Sequence, residues 1–289
     1  MRCKILFTAS VLLAVAPFAV LAQNLDGKPY TPGVDADISL YLCNWRESQP
    51  VKSHGSLIER DIFTRGDPLK PPARGKVLKY MNRFTYAELS SGAVTTSTKL
   101  SGEQELFYIL TGKGVIKTTK TTADLYPGIA VLVPAGCEFT MSSTNPTNDL
   151  TMYLVNEPIP AGFRPNDDIK VKDVDASRIS SSTAHWVHLW RGMFGTSDGF
   201  GTIESTGTVT FDPMVIAHPH SHVEGCEEIW AAIEGNSFAF IGKQIFLQTP
   251  GMAFMIPPDG KTPHSTINTS NKQIRMLYVA RYRDHEVRK

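Results

Sequence analysis

The stretch EIWAAIEG, Glu228–Gly235, decides the fold because the chain carries its echo, ELFYILTG, at Glu105–Gly112. In both, a glutamate is followed by six residues, most of them apolar, and a glycine. Fifteen residues after each glycine comes a Pro-Gly pair, Pro127-Gly128 and Pro250-Gly251, and six residues beyond each pair comes another proline, Pro134 and Pro257. All these landmarks share one offset of 123 residues. Gly112 and Gly235 suit a tight turn at a strand end, and the Pro-Gly pairs suit a turn into the next strand. A shared offset of this kind marks an internal repeat.

Working outward, the runs between landmarks are short and rich in Val, Ile, Phe and Tyr: GVIKTT, IAVLV and TMYLV in the first half, TVTF, SFAFI, MAFMI and MLYVA in the second. Gly, Pro, Asn or Asp separate them, and long helical periodicity is absent. This pattern predicts an all-β fold of sandwich or barrel type. A weaker echo lies upstream, where His54, Arg60 and Phe63 recur as His185, Arg191 and Phe194 at an offset of 131. The expected layout is two similar β-domains, 23–165 and 166–289, joined near EPIPAGFRPNDD.

Residues 1–22 read as a cleavable signal peptide: a basic start at Arg2 and Lys4, an apolar core from Ile5 to Ala16, and small residues Val20 and Ala22 before Gln23. Cleavage after Ala22 would leave 27 basic against 28 acidic side chains. With no polybasic stripe outside the C-terminal tail, neither nucleic acid nor an anionic membrane surface is an expected partner. The expected location is secreted or periplasmic. Three cysteines remain after cleavage, Cys43, Cys137 and Cys226, an odd number with no CxxC spacing. Their pairing is open, and buried thiols are the simplest expectation.

Chemistry concentrates just before the second repeat, in HPHSHVEGCEE, His218–Glu228. His220 and His222 stand two apart, which on a strand points both to one face. By the same alternation Trp230 and Ala232 face the same way as Glu228. The landmarks and these histidines together resemble the cupin superfamily, and the duplication resembles a bicupin. In the second unit one family motif runs from Pro213 through His220, His222 and a glutamate to Gly235. The other runs from Pro250-Gly251 through Pro257 to His264. Met214 stands where the family has glycine.

The resemblance implies two tandem cupin barrels of the double-stranded β-helix, or jelly-roll, type. It implies metal ligands at His220, His222, one glutamate and His264. Glu227 keeps the family's spacing from His222, whereas Glu228 keeps its spacing to Gly235 and aligns with Glu105. Three imidazoles and a carboxylate suit one divalent transition metal per chain, Mn, Fe, Ni, Cu or Zn, better than Ca or Mg.

Counted from Glu105, the first unit has Ser97, Lys99 and Phe139 at the three histidine positions, so only the carboxylate survives and no metal is expected there. Glu227 and His218 are candidate acid–base groups. Trp230, Arg281 and Tyr282 are candidate substrate contacts. The expected function is a metal-dependent enzyme on a small polar molecule, an organic acid or sugar derivative. Its reaction is left open among oxygenase, decarboxylase, isomerase, lyase and hydrolase. The alternative is a non-catalytic metabolite-binding or storage protein. A homo-oligomer is compatible with either.

Overall fold

The computed structural model describes residues 30–182 and 185–281. The expected signal peptide and Tyr282 lie outside the described residues. The described chain is all-β apart from short 3-10 turns.

The repeat folds as its landmarks require. Strand Glu103–Thr111 lies between Ile129–Val133 and Leu150–Pro158, and strand Glu227–Glu234 lies between Met252–Met255 and Ile274–Arg281. Each central strand therefore sits in a large antiparallel sheet. Each unit completes its jelly roll with a four-stranded sheet: Thr98–Lys99, Glu138–Ser143, Gly114–Thr118 and Thr122–Leu125 in the first, Val215–Ile216, His264–Asn268, Ser237–Ile241 and Gln244–Gln248 in the second. Gly112 turns at φ +83°, and a Cβ there would come within 2.4 Å of the Asp149 carbonyl oxygen, so the turn has no room for a side chain. Met214 adopts φ +58° without being glycine and is 73% exposed.

The central strands read as continuous apolar runs because both of their faces are covered. Leu106, Tyr108, Ile229 and Ala231 face a core shared by the two large sheets, together with Phe63, Phe84, Tyr153, Met193, Met255 and Leu277. Phe107 and Ile109 face the interior of the first unit, and Trp230 that of the second. The sheets do not divide at 165/166, where the sequence suggested a boundary. Leu42–Asn44 pairs with Met252–Met255 in the second unit's sheet, and Lys170–Asp173 pairs with Ile129–Val133 in the first unit's sheet.

Two buried carboxylates also cross between the units. Glu227 accepts hydrogen bonds from the backbone N–H groups of Lys79, Tyr80 and Met81. Glu157 accepts from those of Gly201, Thr202 and Ile203. Each caps a loop of the opposite unit, satisfying donors that the interface removes from water.

Candidate metal centre

Alternation along the strand places Glu228 on the interior face of the second unit and Glu227 on the inter-unit face. Glu228 is 1% exposed. Its Oε2 lies 2.7 Å from His222 Nε2 and its Oε1 lies 3.1 Å from His264 Nε2. His220, His222 and His264 each offer a nitrogen within 4.8 Å of the other two. The four residues matched to the family's ligand positions therefore converge, with Glu228 as the carboxylate. His264 comes from the first residue of strand His264–Asn268, and its backbone pairs with that of His220.

The register explains how His220 turns inward. Val215–Ile216 pairs with the strand His264–Asn268 so that Ile216 opposes Ile267, but His220 opposes His264. That is a slip of one residue, located around Pro219. It exchanges faces, so Ile216 points out while His220 points in. His218, on the outer side of the slip, is exposed. Its backbone carbonyl, not its ring, serves the site: it accepts a hydrogen bond from His220 Nδ1 at 2.9 Å. That bond fixes the tautomer and leaves the Nε2 lone pair free to ligate.

Electrostatics favour a cation here. Burial alone would push the Glu228 carboxyl up, but hydrogen bonds from His222 and His264 hold it well below the usual carboxylate range. Trp230 Nε1 donates to its Oε1 at 2.6 Å and Tyr278 Oη donates to its Oε2 at 3.0 Å. Burial and the neighbouring His264 lower His220 to about 4, so its ring is neutral at physiological pH. His264 is 2% exposed, and its Nδ1 is buried with no hydrogen-bond partner among the described residues. Three imidazoles gathered around one ionised carboxylate fit a divalent transition metal.

Above the cluster opens a cavity of about 240 Å³. Trp230 lines it, as its position on the strand predicted, together with His185, His188, Trp190, Tyr278 and the serines 180–182. A Cβ at Gly207 would come within 2.4 Å of the Trp190 ring, so that glycine makes room for the wall. His185 Nε2 lies 3.4 Å from His220 Nε2, and burial drives His188 down to about 3. Sequence reasoning used His185 only as a repeat landmark and passed over His188, Trp190 and Tyr278.

Three candidates fall elsewhere. Glu227 is committed to the loop of the first unit. Arg281 pairs with Glu227 across the strands, so it shares the inter-unit face, and its guanidinium lies 3.4 Å from the centre of the Tyr80 ring. His218 is exposed and its ring stacks beside that of His220, with centroids 6.2 Å apart. None of the three lines the cavity.

In the first unit the aligned carboxylate has different partners. Glu105, fully buried, is bound by His54 Nε2 at 3.0 Å, Arg83 Nη2 at 2.8 Å and Asn156 Nδ2 at 3.1 Å. Arg83 also holds Glu59 through Nε at 3.1 Å. Asn156 lies between Arg83 and Glu105 in the sheet, and in the second unit Ala280 lies between Ser205 and Glu228. Where the second unit has two small residues flanking its carboxylate, the first has a guanidinium and an amide that bind it. Arg83 supplies the positive charge that faces Glu105. Phe139 packs beside His54, with ring centroids 5.7 Å apart, while Ser97 and Lys99 are exposed.

No protein-family model and no curated protein matches the chain. Solved structures do. A putative glyoxylate-induced protein from Pseudomonas aeruginosa superposes with a TM-score of 0.67 at 12% identity, covering 89% of this chain and 95% of that one. The S161A mutant of Bacillus subtilis oxalate decarboxylase OxdC gives 0.64 at 12% identity, covering 87% and 79%. AerE from Microcystis aeruginosa gives 0.62 at 12% identity, covering 85% and 100%. At that identity the likeness is one of architecture, and it establishes that this chain is built on the two-domain cupin fold.

Proposed function

We propose that the second unit binds one divalent transition metal through His220, His222, Glu228 and His264, and that the protein is an exported metal-dependent enzyme acting on a small molecule. The observation that carries this reading is the convergence of three imidazole nitrogens, within 4.8 Å of one another, on a buried carboxylate at the floor of an open cavity. When bound there, the metal supplies Lewis acidity, polarising a substrate oxygen or lowering the pKa of a coordinated water.

The chain's own residues set the conditions. Trp230 and Tyr278 hold both oxygens of Glu228, fixing its orientation. The His218 carbonyl fixes His220. His188 stays neutral against Trp230 and Phe211, with ring centroids 5.7 and 5.0 Å away. Among the described residues that line the cavity there is no Lys or Arg, and Glu228 is the sole acid. The fit is therefore to a compact substrate without a second strong anionic group, its flat or apolar part against Trp190 and Trp230 and its hydroxyls met by serines 180–182. Of the neighbours' named substrates, oxalate carries two carboxylates and suits this wall poorly.

The test is a screen of small acids, polyols, sugars and phenols against metal-loaded and metal-stripped protein, with and without O2, read by product mass and by binding heat. Turnover confined to loaded protein supports the enzyme. Binding without turnover under both atmospheres would leave a metabolite-binding protein instead.

A further inference from the structure

Cys226 is 2% exposed, and its Sγ, a nitrogen of His222 and a carboxylate oxygen of Glu228 lie within 4.8 Å of one another. His222 also belongs to the group of three imidazoles, and its Nε2 lies 2.7 Å from Glu228 Oε2, so the two groups of donors meet at His222. Cys226 stands two residues before Glu228, at the entrance of strand Glu227–Glu234, and the turn at Gly225 (φ +85°) leads into it. The thiol makes no hydrogen bond among the described residues. The first unit has Glu103 at the aligned position, so a cysteine is not required to build this part of the barrel.

We infer that Cys226 is a fifth metal donor, a thiolate that joins His220, His222, His264 and Glu228 and biases the site toward thiophilic ions (Zn, Cu, Co or Ni) over Mn or Mg. This rests on the reading of the second unit as a metal centre. As the sulfur–metal bond forms, the S–H bond breaks and its proton leaves to solvent, with no change of oxidation state. A soft sulfur donor beside imidazoles selects late transition ions, whereas a site of nitrogen and carboxylate alone discriminates less.

The experiment is cobalt reconstitution of the metal-stripped protein, followed by electronic absorption. Visible d–d bands report Co(II) in the imidazole–carboxylate site, and a near-ultraviolet sulfur-to-cobalt charge-transfer band reports the thiolate. The inference expects both in the wild type and in Cys43→Ser and Cys137→Ser. In Cys226→Ser it expects the visible bands alone, with Co(II) affinity lower by at least about tenfold. X-ray absorption of the zinc-loaded wild type, which needs no variant, should show one sulfur in the first coordination shell. Visible bands without charge transfer, or a charge-transfer band that survives Cys226→Ser, overturn the role of Cys226 and leave the metal centre standing. No cobalt spectrum at all overturns both.

Discussion

Replacing Arg83 by Met tests whether a guanidinium has taken over the metal's electrostatic role in the first unit. Arg83 bonds Glu105 at 2.8 Å and Glu59 at 3.1 Å, and those carboxylates are 0% and 5% exposed. Removing one partner of a buried ion pair costs about 3–5 kcal/mol, because the other charge stays buried and uncompensated. The Arg83 side chain is 28% exposed, so water reaches the site and the loss should fall near the lower end, about 3 kcal/mol. For a chain of this size that lowers Tm by roughly 6–12 °C.

The pH dependence carries a second signature. Burial lowers the His54 pKa, but the bond to Glu105 and the charges of Glu105 and Glu59 outweigh it and raise the value, while Arg83 opposes them. A raised folded value means that His54 stabilises fully below its unfolded pKa of about 6.5 and loses that contribution as pH rises through the folded value. Without Arg83 the folded value rises further, so the variant should lose stability over a higher and wider window than the wild type. Thermal unfolding by circular dichroism across pH 6–9 measures both effects. Adding Glu105→Gln to the variant removes the orphaned charge and should recover part of the loss. A drop below about 1 kcal/mol, or no recovery in the double variant, would refute the reasoning.

Met214→Gly should raise stability by about 1 kcal/mol, since a side chain in the left-handed region costs about 1–2 kcal/mol and glycine relieves it; denaturant unfolding is the check. Glu227→Gln weakens the cap on three backbone N–H groups and should cost about 1.5–3 kcal/mol while leaving metal affinity unchanged, measured by melting and chelator competition. Tyr278→Phe removes the 3.0 Å hydrogen bond to Glu228 and should weaken metal affinity by about 10–100-fold in the same competition, with the melting of stripped protein little altered.

The repeat carried most of the architecture because a shared offset of Gly and Pro reports turn chemistry directly. Aligning Glu228 with Glu105 also picked out the carboxylate that lies against His222 and His264. The candidate acid–base groups and substrate contacts were less legible. The one-residue slip around Pro219 leaves His218 exposed, and no periodicity reveals a slip of that kind. Glu227 and Arg281 share a face that is buried against the other unit, so burial and charge alone did not distinguish it from the barrel interior. The exchanged strands stayed hidden because Leu42–Asn44 is three residues long and Lys170–Asp173 reads KVKD, more polar than the strands it joins. Tyr278 escaped because a tyrosine in an apolar strand resembles core until its hydroxyl is seen to reach Glu228.

The central claim is one metal centre in a chain with two similar units, and metal stoichiometry tests it most directly. Purified protein, stripped and reloaded with Mn, Fe, Co, Ni, Cu or Zn in turn, should hold one equivalent of a preferred ion. A His220→Ala/His264→Ala double variant should hold none while keeping its β circular dichroism spectrum. Two equivalents per chain would contradict the loss of the first site. No bound ion under any loading, or an ion retained by the double variant, would contradict the centre itself.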